Sequence, residues 1–130
     1  MADLEQVALG ILSGLQRAVA GKDLSKVAQL FHDDVVLFGT AAEAVGRAES
    51  SAYLSRVLAH DDTIRWAWER VIPLWHGPEA FVFAVVGTVG FEDAQGQPSG
   101  PRDGFRLTCV AVALDGQWRL SHFHGSVRQE

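Results

Sequence analysis

The amino-acid pattern predicts an α+β domain in which three N-terminal helices pack on a strongly curved antiparallel sheet. Three observations carry this. Up to about residue 59, apolar residues recur at every third or fourth position, the period of amphipathic helices. Beyond residue 63 the period falls to two, in long runs rich in Val, Phe and Trp. Finally, Asp115-Gly116 stands between the runs FRLTCVAVAL and QWRLSHFHGSV, a strong signal for a two-residue hairpin whose left-handed turn matches the strand twist.

The helices follow from their caps and stripes. Leu4, Val7, Ala8, Ile11, Leu12, Leu15 and Val19 define the first, from about Leu4 to Ala20; Asp3 can cap it, Gln6 completes a capping-box spacing and Gly21 is a stop. Asp23 caps a short second helix that buries Leu24, Val27, Ala28, Leu30 and Phe31. His32-Asp33-Asp34 interrupts the pattern and Val35 to Phe38 reads as a strand, with Asp33 and Asp34 as turn and cap residues rather than a carboxylate acid/base pair. GTAAEAVG, residues 39–46, has no period and is expected to be a loop across the mouth of the domain. Tyr53, Leu54, Val57 and Leu58 supply the stripe of a third helix that ends near His60.

Four strands complete the chain. Thr63 to Trp75 alternates around Ile64, Trp66 and Trp68; Ala80 to Phe91 comes next; then EDAQGQPSGPRD forms a projecting loop before the final hairpin. A strand of eleven residues spans about 35 Å, so a sheet of such strands must coil to close on its helices, with Pro73, Gly87 and Gly90 placed to allow bending. The Ala80 to Phe91 strand is apolar on both faces. The helices cover one face, and a second copy of the sheet is the expected cover for the other, giving a homodimer through the outer sheet face.

Composition bounds the function. A chain of 130 residues at 48% hydrophobic is read as one domain, 1–130, with a core that needs no disulfide. Its one cysteine, Cys109, lies in an apolar run and reads as a small core residue. A net charge of −5 without a basic cluster argues against nucleic acid, and the acidic N-terminus with no long apolar run argues against a leader or membrane span, leaving the cytoplasm as the expected location.

Pairing outward from Asp115-Gly116 without interruption sets Arg106 opposite Gly125, Thr108 opposite Phe123 and Cys109 opposite His122. Arg106, Thr108 and Phe123 then share the pocket face, and His122 and His124 lie on the other. Arg106 is either paired with a carboxylate such as Glu43, Glu69 or Glu92 or anchors a ligand in the space beside Gly125. Trp66, Phe38 and Phe123 are the candidate pocket walls. His122 and His124 with Cys109 would make an adequate zinc set, but histidines hydrogen-bonded at a dimer interface are the better reading, so neither metal nor cofactor is expected.

Three stretches, AGKDLSKVAQLFHDDVVLFG, FEDAQGQP and DGQWRLSHFHGS, resemble the nuclear-transport-factor-2-like superfamily, and within it the SnoaL-like branch and the association (hub) domain of calcium/calmodulin-dependent protein kinase II. The resemblance spans nearly the whole chain. It implies a cone-shaped roll with a pocket between sheet and helices, a dimer through the sheet, and a function that ranges from isomerase, cyclase or dehydratase to pure assembly. It also implies where catalytic groups would stand. The general base of steroid-isomerase-like members falls on Gly39, their oxyanion-hole tyrosine on Leu15, and their acid partner near Val110. Of the arginines that line the hub pocket, Arg106 matches one while Gly87 and Gly125 stand for two others. The expected function is therefore a pocket protein for an apolar or mildly acidic compound, or else a non-catalytic dimerisation module.

Overall fold

The computed structural model describes residues 3–40 and 42–128; Met1, Ala2, Gln129 and Glu130, and Ala41 in the stretch expected to be a loop, lie outside the described residues. Helix α1 (Leu4–Ala20) begins where Asp3 Oδ1 accepts from the Glu5 amide at 3.0 Å. Its buried side is Ala8, Leu12, Leu15, Ala18 and Val19; all but Ala18 belong to the stripe read from the sequence, whose Leu4, Val7 and Ile11 are partly buried at its flank. At its end the left-handed residue is Lys22 (φ 54°), not Gly21, whose φ is −77°. Lys22 is held there by its ammonium group, which donates to the carbonyls of His60 and Asp62. Helix α2 (Leu24–Gln29) is capped by Asp23, and the chain leaves it early, so Phe31 opens a strand rather than closing a helix.

Strand β1 (Phe31–Phe38) is followed by β2 (Glu43–Val45), α3 (Gly46–Ala59), β3 (Thr63–His76), β4 (Ala80–Glu92), β5 (Asp103–Leu114) and β6 (Gln117–Val127). The strands form one sheet in the order β2-β1-β6-β5-β4-β3. Two features differ from the expected antiparallel array. Residues 43–45 of the supposed loop pair with β1 as a short antiparallel strand, and β1 pairs with β6 in parallel. A parallel pair needs a long crossover, and here the crossover contains α3 and β3 to β5. The core lies between the helices and the inner sheet face, where Phe81 and Phe83 are fully buried and stacked at 5.2 Å, with Trp118 edge-on to Phe81 at 4.9 Å.

The final hairpin turns at Asp115 (φ 52°) and Gly116 (φ 79°), as its sequence demands. From Leu114↔Gln117 to Ala111↔Leu120 the register is the uninterrupted one. Ser121 is then left unpaired in a β-bulge, and Val110 faces His122, Thr108 faces His124 and Arg106 faces Ser126. Because side chains alternate across a strand, this one residue carries Arg106 and Thr108 to the opposite side from Phe123. Gly125 faces Leu107 instead, on the inner face, where an added Cβ would lie 2.4 Å from Cζ of Phe105. It makes room for that ring and not for an arginine.

One buried group is spent without return. Ser50 in α3 is 3% exposed and its hydroxyl has no hydrogen-bond partner. An unpartnered buried hydroxyl forfeits its bonds to water, so Ser50→Ala should be neutral or raise stability by about 1 kcal/mol, read as the midpoint of urea unfolding. A loss of that size would mean that the hydroxyl is bonded after all.

Candidate binding cavity

The helices and the curled sheet enclose a cavity of about 240 Å³. Leu15 and Val19 of α1, Tyr53 and Val57 of α3, Ile64 and Trp66 of β3 and Phe123 of β6 form its walls, with His60 and Phe91 at the rim. Past Tyr53, Trp66 and Phe123 it continues into a second space of about 250 Å³ that reaches Phe105, Val127 and, at its outer end, Asp103. The wall at β3 is fixed from α1. Gln16 Oε1 accepts from the Trp66 amide at 2.8 Å while its Nε2 donates to the Ile64 carbonyl at 3.0 Å, so an amide side chain takes the place of a neighbouring strand along the open edge of β3. Trp66 stacks on Trp68 at 5.5 Å, and its indole N–H is covered and unpartnered.

The polar group inside is Tyr53. Its hydroxyl lies 2.5 Å from where a Cβ of residue 39 would be, so glycine at 39 is what admits it. Burial raises the Tyr53 pKa, slightly opposed by the charge of Arg56, so the group is a neutral phenol at physiological pH. At the rim, His60 Nδ1 accepts from the Asp62 amide at 3.2 Å and its ring lies 6.0 Å from that of Phe91.

Of the candidate ligand residues, Trp66 and Phe123 line this cavity. The other three do not. Arg106 and Thr108 are exposed on the outer sheet face by the alternation of β5, separated from Phe123 by the Ser121 bulge, and Phe38 lies on the same face between the rings of His122 (5.5 Å) and His124 (5.3 Å). Arg106 therefore shares a face with the histidines, contrary to the uninterrupted register, and lines a shallow outer cleft with Glu69 and Arg128. None of the three carboxylates considered for it forms an ion pair with it; Glu92 is held by Arg65 at 3.1 Å. Cys109 faces inward and is fully buried, which pushes its thiol pKa far up, so it cannot join the outward histidines around a metal. His122 Nδ1–H donates to the Val36 carbonyl at 2.8 Å. Asp33 is exposed and accepts from Arg47 Nε at 2.8 Å, a bond that, with the arginine's charge, lowers its pKa; it is an ion-pair partner and not half of an acid/base pair.

The family described as SnoaL-like domain matches residues 13–126. The chain belongs to the SnoaL-like domain family. Among solved structures, it is similar to a protein provisionally named as a calcium/calmodulin-dependent protein kinase II association domain from Xanthomonas campestris, at 24% identity and TM-score 0.80 over 100% of this chain and 91% of that one. A provisionally named dehydratase of the NTF2-like family from Streptomyces avermitilis gives 16% identity and TM-score 0.80, covering 97% of this chain and 96% of the other. A provisionally named aromatic ring hydroxylase from Novosphingobium aromaticivorans gives 12% and 0.81, covering 100% and 94%. At such identities the likeness establishes the NTF2-like fold alone. No curated protein matches the sequence.

Within this SnoaL-like domain, the two positions to which the resemblance assigned a general base and an oxyanion-hole tyrosine, Gly39 and Leu15, do line the cavity. Neither carries a functional group. The third, Val110, faces His122 and Val82 on the outer sheet. Sequence reasoning missed Tyr53, Thr40 and His60 as lining residues. In the sequence Tyr53 belongs to the apolar stripe of the third helix; the signal it offers is that the chain's one tyrosine stands in that stripe, where a hydroxyl needs either a partner or a pocket.

Proposed function

We propose that this SnoaL-like domain binds a small apolar molecule in the cavity between α1, α3 and the inner sheet face. The observation that supports it is the cavity itself, enclosed by Leu15, Trp66 and Phe123 with one phenol among apolar walls, the composition expected of a ligand site. The inner space has no carboxylate among its described lining residues, so the steroid-isomerase mechanism, which needs one as base, is outside its repertoire. Any chemistry there would rest on the Tyr53 hydroxyl as a donor and on His60 at the rim. The provisional dehydratase and hydroxylase names of two structural relatives are compatible with a small-molecule role.

A panel of one- and two-ring apolar compounds tests this by thermal shift. A ligand that binds only the folded state stabilises it by about 2.7 kcal/mol at a hundredfold excess over Kd. The expected result is a rise in melting temperature that disappears in Leu15→Trp, which fills the cavity. No shift with any compound, or shifts that survive in Leu15→Trp, would sink the proposal.

The outer face supports a second, compatible role. Val82, Ala84 and Val86 of β4, with Ile72 and Trp75 of β3 and Val110 of β5, form an apolar surface on which Val86 is 40% and Trp75 59% exposed. We propose that a second copy of the chain covers it, as the name of the Xanthomonas campestris association domain would suit. Among the described residues, no helix is long and apolar enough to cross a membrane.

A further inference from the structure

The sequence suggests an apolar or mildly acidic ligand, because Arg106 was expected in the pocket. The structure removes that cation and leaves a different chemistry. The described residues that line the inner space include no Asp, Glu, Lys or Arg, and the second space adds only Asp103 at its outer end. An ionised carboxylate held among the inner walls, away from His60 at the rim, would lose its hydration without a countercharge, and an ammonium group would fare no better short of Asp103. Charge is therefore selected against in both signs.

Size narrows the class further. At about 240 Å³ the inner space exceeds the ~150 Å³ of a cavity that takes up benzene, and the adjoining space of about 250 Å³ leaves room for a substituent. One or two rings fit. The walls favour flat ones, since Trp66 is stacked on Trp68 and Phe123 is packed edge-on to Phe31 at 6.4 Å, presenting fixed aromatic surfaces.

Polarity within reach of a ligand then centres on Tyr53, since the unpartnered Trp66 indole N–H is covered. The Gly39 amide is already used, donating to the Ala42 carbonyl at 2.8 Å, so it makes no claim on the phenol beside it. Among the described residues the Tyr53 hydroxyl, which points at Gly39, has no hydrogen-bond partner. A half-buried hydroxyl whose O–H is unused among the described residues calls for an acceptor, which water or a ligand can supply.

We propose that the cavity selects an uncharged one- or two-ring compound bearing a carbonyl or similar acceptor, held by a hydrogen bond from the Tyr53 hydroxyl above Gly39. This rests on the cavity being a ligand site at all, and the experiment separates the two claims. Four isosteric probes are titrated calorimetrically into the full chain: tetralin, 1-tetralone, 1-naphthoate and 1-aminotetralin. Tetralone should bind about tenfold more tightly than tetralin, the worth of one good neutral hydrogen bond, and the two ions should bind more weakly than either. In Tyr53→Phe, tetralone should fall to the level of tetralin while tetralin is unchanged. The carbonyl infrared band of tetralone bound to the wild-type chain should lie below its position in hydrocarbon, a readout that does not depend on the variant folding. Tetralin binding as well as tetralone, an unshifted carbonyl band, or naphthoate binding tightest would overturn the proposal and leave the ligand site standing. If none of the four binds, the site itself falls and the proposal with it.

Discussion

Gly87→Ala is expected to lower the stability of the fold by about 3 kcal/mol or more, at the top of the range for overpacking. Gly87 lies on β4 opposite Trp68. Between Trp68 and Arg70 the β3 ladder slips by one residue, and Glu69 bulges out. The bulge brings the Ala67 carbonyl oxygen to 2.0 Å from where a Cβ on residue 87 would stand, with the carbonyl carbon at 3.1 Å and Trp68 Cα at 3.3 Å. Those are backbone atoms of a paired strand. They cannot swing aside as a side-chain tip would, so the methyl group fits only if β3 and β4 part and the ladder breaks. Just before this bulge Gln16 of α1 grips β3 at Trp66, which is a cavity wall, so a broken ladder here would also disturb the cavity. Chemical unfolding should show the loss directly. Gly10→Ala is the contrasting variant: Gly10 is exposed in the middle of α1 with nothing within 4 Å of its missing Cβ, and alanine there should stabilise by about 0.5–1 kcal/mol. Equal effects of the two substitutions would show that the Gly87 contact is not rigid.

The contrast between these glycines also shows where sequence reasoning ends. Local signals were legible because their physics is local. Asp3 and Asp23 cap the helices that follow them, the stripe of α1 is the buried stripe, and Asp115-Gly116 makes the turn it specifies. Non-local consequences were not. Ser121 carries no mark of a bulge, yet it turns Phe123 inward while Arg106 and Thr108, on the uninterrupted alternation of β5, stay outside, and so it separates the arginine from the pocket. Gly125 was given a meaning by the neighbour assumed for it; in the structure it serves Phe105, and so belongs to packing instead of recognition. Trp66 and Phe123 survive as cavity residues because Trp66 precedes the β3 slip at Glu69, and Phe123 is set inward by the Ser121 bulge. The parallel pairing of β1 with β6 left no trace in either strand, since an eight-residue strand reads the same in both directions.

The substitution Val82→Glu should abolish the proposed dimer while leaving the monomer folded. Val82 stands on the outer face of β4, beside Trp75 of β3 and Val110 of β5, in the apolar region that a second copy would cover. It is half-buried in the single chain, so a glutamate there can extend its carboxylate into water as long as the chain is alone. A partner sheet closes that escape. In a two-fold interface the same change occurs on both sides, and each buried carboxylate lacks a countercharge, so association should weaken about a hundredfold or more. Sedimentation at tens of micromolar then reads the outcome: wild type at twice the chain mass, Val82→Glu at the chain mass, and Gln95→Glu, which adds the same charge on the exposed loop after β4, like wild type. Thermal melting of Val82→Glu with a sharp transition shows that the fold has survived. A wild-type chain that sediments as a monomer disposes of the dimer, and a Val82→Glu chain that remains dimeric moves the interface off the sheet. The cavity opens on the other side of the sheet, so Val82→Glu should leave tetralone affinity unchanged, which would separate the two surfaces functionally.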